Sequence, residues 1–142
     1  MATFDLNAVR AQIKALLQTA TELAFVYDYS NPDIAGYPAA IFDVSNENSE
    51  MMDDSNNLRT MTWTIWVLQE ITVKGEQAAK TNLDAAVKSV VNILEKKSND
   101  TLSGTVDWIM PVMGRRTHVP TPQGAAFMQE IVLNAKVAST IL

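Results

Sequence analysis

Residues Arg59 to Val73 read RTMTWTIWVLQEITV, and their alternation decides the fold. Met61, Trp63, Ile65 and Val67 fall on one side of an extended chain, with Thr62, Thr64, Trp66 and Leu68 on the other. One face is wholly apolar and must be covered. The opposite face begins polar and turns apolar at Trp66 and Leu68. At the rise of an extended chain the run spans about 45 to 50 Å, longer than a small domain needs, so part of it is expected to project as a hairpin arm.

The segments on either side supply the partners of this strand. Downstream, Lys74-Gly75 turns the chain into a helix expected over 77–97, with Ala79, Leu83, Ala86, Val87, Val90, Val91 and Leu94 on one stripe. Lys96 and Lys97 sit at its end, where cations favour the helix dipole. An upstream helix is expected over 6–22, with Val9, Ile13, Leu16, Leu17 and Ala20 on its apolar stripe and Asp5 as its cap. Two short strands lie between, LAFVYDY at 23–29 and YPAAIFDV at 37–44, separated by Asn31-Pro32-Asp33 and Gly36. Pro38 belongs at a strand start or on a sheet edge, because it has no amide to donate.

Residues 45–58 (SNENSEMMDDSNNL) hold four Asn and four acids and no β-branched residue, and they read as a long, exposed polar loop. After the second helix, TVDWIMPVM at 105–113 reads as a strand interrupted at Pro111. GRRTHVPTPQG at 114–124 reads as an irregular connection, and AAFMQEIVLNAKV at 125–137 as the last strand. The order is α-β-β-β-α-β-β. That order predicts a single α+β domain over 1–142: a two-layer sandwich whose mostly antiparallel sheet, of four to five strands, carries two helices on one face.

Composition narrows the function. The chain has 142 residues, 47% hydrophobic and 19% charged, enough for one packed core. A net charge of −5 argues against a surface that grips phosphate backbones throughout, and the only dense basic pair is Arg115–Arg116. Without cysteine, thiol catalysis, disulfides and thiolate metal sites are excluded together. The N-terminus MATFDLNAVRAQIKALL has no signal-peptide pattern, and no stretch approaches the roughly 20 apolar residues of a membrane helix. The reading is a chain that is soluble and intracellular when made.

The sequence offers little chemistry. His118, the sole histidine, lies beside Arg115, Arg116 and Thr117 without convergent partners at catalytic or metal-binding spacing. Asp43, Glu47, Glu50, Asp53 and Asp54 form an acidic run. No glycine falls between Asp43 and Arg59, so the calcium-loop pattern is absent. No phosphate-cradling glycine loop and no Gly-x-Ser-x-Gly occur. An enzymatic or ligand-binding reading would need His118, Arg115 and Arg116 to converge with an acid such as Asp107. No catalytic residue, cofactor or metal is assigned.

The apolar surplus is the stronger sign. Trp63, Trp66, Trp108, Met61, Met110 and Met113 sit on strands whose two faces are both partly apolar. They are either ordinary core residues or part of a second sheet face left for another subunit, where aromatics and Met are favoured.

The order of elements resembles the tail terminator (tail completion) proteins of long-tailed siphophages. The likeness lies in the N-terminal helix, the Tyr37-Pro38-Ala39 strand and the polar segment before Arg59. It continues through Trp63-Thr64-Ile65-Trp66-Val67, the helix around Asp84 to Leu94, the segment Gly104 to Pro111, the Arg/Pro linker, and the closing strand through Gln129 to Val137. The resemblance implies a virion protein at the head-proximal end of the tail. It would form a hexameric ring that caps the major tail tube protein, ends polymerisation and meets a head-completion or connector protein. DNA would pass through its lumen without specific binding. Arg59, Trp63, Trp66, Arg115, Arg116 and His118 are then candidate interface residues. Glu47, Glu50, Asp53 and Asp54 are candidates for the loop or lumen. Another neck or connector protein is the alternative.

Overall fold

A computed structural model describes residues 5–28, 34–51, 56–121 and 124–140. Helix α1 spans Leu6–Gln18 and begins where expected: the Asp5 carboxylate accepts from the amides of Asn7 at 3.0 Å and Ala8 at 3.3 Å. It stops four residues short of the expected end, where the Thr19 amide and hydroxyl both donate to the Leu16 carbonyl. Helix α2 spans Glu76–Glu95. The strands are β1 (Phe25–Tyr27), β2 (Ala39–Met51), β3 (Asn56–Glu70), β4 (Trp108–Thr121) and β5 (Gly124–Thr140).

These strands form one five-stranded sheet in the order β1-β2-β3-β5-β4. Among the described residues, only the short β1–β2 pair is parallel. The expected α+β order is therefore observed, with a mixed sheet. Val9, Ile13 and Leu17 of α1 and Leu83, Ala86, Val90 and Leu94 of α2 join one cluster with Met61, Trp63, Ile65 and Val67 of β3 and Ile131, Leu133 and Ala135 of β5. Both helices thus cover the face that the alternation of β3 marks as apolar.

Two segments expected as irregular are strands. Within 45–58, residues through Met51 continue β2 and those from Asn56 open β3, so most of the expected polar loop is a hairpin arm. The ladder runs from Ala39↔Leu68 to Met51↔Asn57, with a bulge between Val44 and Asn46. Poor strand propensity is overridden here because β3 is paired on its other side with β5 as far as Asn56↔Thr140 and templates its partner. Cross-strand polar contacts help: the Arg59 guanidinium lies 2.8 Å from the Glu47 carboxylate, and the Ser45 hydroxyl donates to the Thr62 carbonyl at 3.0 Å. Asp53 and Asp54 lie outside the described residues.

The second correction concerns 105–124. One strand, β4, runs through Pro111 and on to Thr121, pairing with β5 along its length. It is an edge strand, so a proline whose missing amide faces outward breaks no ladder bond. The register steps from Met113↔Ile131 to Arg116↔Gln129, a bulge that leaves Gly114 and Arg115 opposite Glu130. Gly114 lets the two strands approach closely there. A Cβ there would meet the Glu130 side chain at 3.0 Å and its carbonyl oxygen at 3.1 Å.

Candidate assembly surface

With both helices on one side, the other side of the sheet is open. Along β5, Phe127, Gln129, Ile131, Leu133, Ala135 and Val137 alternate inward and are buried. Met128, Glu130, Val132, Asn134 and Lys136 face out and are half-buried. The register aligns these with Leu68, Trp66, Thr64, Thr62 and Thr60 of β3. A shallow cavity of about 340 Å³ opens on this face, lined by Ile41, Asp43, Trp66, Leu68 and Met128. Its lining is apolar except for one carboxylate, which suits an apolar side chain from a partner.

The edge strand β4 extends this surface. Trp108, Met110 and Val112 on this side, and Met113 on the helix side opposite Ile131, are four of the six large hydrophobics left exposed among the described residues, with Met110 at 55% and Met113 at 53%. Met110 and Val112 pair with Asn134 and Val132, so they continue the open face across β5 to the edge. Trp108 lies under the Lys136 ammonium, 5.5 Å from its ring centroid.

The expected contact residues separate on inspection. Trp66 is on the open face, as an interface residue must be. Trp63 is not available: it is fully buried, packs against Phe42 at 6.1 Å between centroids, and lies beneath the Arg10 guanidinium at 5.7 Å. Its position in the alternation of β3 puts it among the helices, so the expected interface role is replaced by a core role. Arg59 and Glu47 face each other on the helix side of the hairpin arm. Glu50 is exposed further along that arm.

Arg116 is held within the chain. Its guanidinium pairs with Asp84 of α2, and its Nε donates to the Gln129 side-chain oxygen at 3.0 Å. The Gln129 amide in turn donates to the carbonyls of Gly114 and Glu130. Arg116 therefore ties α2 to the sheet and fixes the bulge. Arg115, in the same bulge, is exposed and forms no ion pair among the described residues. His118 is exposed at the β4 edge, with its ring edge-on to Phe127 at 5.4 Å.

The alternative constellation around His118 does not assemble. Asp107 stands at the start of β4, accepting from the Ala138 amide at 2.8 Å. His118 lies eleven residues on along an extended strand, about 35 Å away. Among the described residues no group of three or more His, Asp or Glu could hold a metal ion, and no helix is long and apolar enough to cross a membrane.

Sequence reasoning missed Met128 and Val112 as members of the open face and Asp84 as the partner of Arg116. The spacing of Pro111 and Pro120 could have marked β4 as an edge, since both prolines fit a strand only there.

No family model matches the sequence, and no curated protein matches it. Among solved structures, the fold is similar to that of a chain in the virion of a native gene transfer agent particle. The TM-score is 0.50 at 17% identity, over 94% of this chain and 93% of that one. The likeness runs over almost the whole length of both chains and shows a shared fold.

Proposed function

We propose that the chain is a structural protein of a phage-like virion, acting as a tail terminator. In this reading, six copies form a ring that caps the tail tube, ends its polymerisation and presents the surface that joins the head. The ring would sit at the head-proximal end of the tail, with DNA passing through its lumen. One observation carries the reading: helices cover one face of the sheet, and the other bears an apolar patch around Trp66, Leu68 and Met128 and, across Val132, the exposed Val112 and Met110 of the edge strand. Such a surface calls for a protein partner. The near full-length likeness to a chain of a gene transfer agent virion supports the same class of role.

The test is to add the purified chain to polymerising tail tube protein and measure tube length by electron microscopy. Termination predicts short tubes, each ending in a ring of this chain. Tubes of unaltered length without bound chain, together with binding to portal-side proteins, would transfer the chain to another position in the neck.

A further inference from the structure

We infer that two specific strand edges join neighbouring copies: residues 46–51 of β2 in one chain pair antiparallel with residues 114–119 of β4 in the next. The inference rests on the ring reading above and names the contact that would build it.

Among the described residues, no strand pairs with either edge along these stretches. On the β2 side, β1 covers only Ala39 to Ile41. Beyond it, Asp43 closes the edge locally: its carboxylate accepts from the Val44 amide at 2.8 Å and lies 3.5 Å from the Arg10 guanidinium. From Ser45 to Glu50 every residue is exposed. On the β4 side, Val112 to His118 are all exposed. Pro111 and Pro120 bracket this run, and neither has an amide to give a neighbouring strand. Between the prolines, residues 114–119 match residues 46–51 in length.

Polarity and charge agree. The pairs β2–β3, β3–β5 and β5–β4 are all antiparallel, so β2 and β4 run in opposite directions. A next copy laid beside β2 therefore continues the antiparallel sheet without reversing. The β2 stretch carries Glu50 and Glu47, the latter paired with Arg59 of its own chain, whereas the β4 stretch carries Arg115, which has no ion pair among the described residues, and His118. Placing Glu50 opposite Arg115 puts Glu47 opposite His118, so one register serves both ends.

The geometry also suits closure. Glu50 lies level with Ala138, through Leu58, while Arg115 lies level with Glu130. Eight residues of β5 separate these levels, about 27 Å along the strand. Joining the two edges therefore staggers each copy against the next, and stagger with tilt is what a closed ring of strands requires. The contact is heterologous, head to tail, and repeats around the ring.

The test is a charge exchange read by mass in solution. Glu50→Arg and Arg115→Glu are each expected to weaken self-association about tenfold or more, by placing like charges together, and the double variant to recover most of the wild-type association. Circular dichroism on each variant verifies folding, since both positions are exposed. As a second readout, Asn48→Cys with Thr117→Cys in this cysteine-free chain should give an oxidised ladder of linked copies. Wild-type rings unchanged by either single substitution, or no recovery in the double variant, would overturn the edge pairing while leaving the ring intact. Single variants that keep the ring but fail to cap tubes would assign this edge to the tube protein and also overturn it. A wild-type chain that neither associates nor caps tubes would instead remove the ring reading itself.

Discussion

Arg116 and His118 stand two residues apart on β4, and the structure gives them different tasks. Arg116→Ala removes a partly exposed ion pair of small value and also leaves the buried Gln129 oxygen without its donor. The expected loss is about 1–3 kcal/mol in denaturant unfolding. Asp84→Ala, which removes only the exposed partner, should lose less than about 1 kcal/mol, and His118→Ala should stay within about 0.5 kcal/mol. The two tryptophans of β3 contrast in the same way. Trp63→Ala should cost about 3–5 kcal/mol because it empties the core, while Trp66→Ala should cost less and act mainly on assembly. Tyr37 adds a pH dependence. Burial, reinforced by the Glu70 charge and then by Tyr27, raises its phenol above the ordinary tyrosine range. The folded chain therefore holds that proton more tightly than the unfolded one. This contribution is complete below about pH 10 and is lost as pH rises through the raised folded value. Tyr37→Phe should flatten the alkaline limb of a stability-against-pH curve.

The elements differ in how far the sequence reveals them. The helix stripes and the alternation of 59–70 are legible because burial imposes a period on each; the structure buries most of both stripes and all of Met61, Trp63, Ile65 and Val67, with Thr64 and Leu68 also buried on the opposite face. The distal half of β2 and the far half of β4 are not legible. Neither has a buried face of its own over its full length: 45–50 and 112–118 are exposed, so no apolar alternation marks them. Their strand form comes from the neighbouring strand, a non-local cause that local propensity cannot carry. Amide exchange tests this at the scale of the element. Amides of 46–51 bonded to β3 should be protected, and loop-like exchange throughout would refute the hairpin arm. The bulge of β4 has its own test. Gly114→Ala must push against Glu130 and is expected to destabilise by about 1 kcal/mol or more. As for the candidate surface, Trp66 was readable as a second-face residue from the alternation alone. The sorting of Arg115 from Arg116 was not, since only the bulge and Asp84 separate them.

Among the described residues, the arrangement is one covered face, one open face with an apolar patch, and two exposed strand edges, one carrying Glu50 and the other Arg115. A chain built this way has surface that its own helices leave uncovered, and under the proposal a second copy covers it. Met110→Glu places a carboxylate on the exposed β4 surface. It should leave stability within about 1 kcal/mol while reducing association, read by sedimentation at several concentrations. The most direct test is the mass of the purified wild-type chain by light scattering across a concentration series. The account predicts a species of six times the chain mass of 15.6 kDa. A single-chain mass at every concentration up to the solubility limit would contradict it.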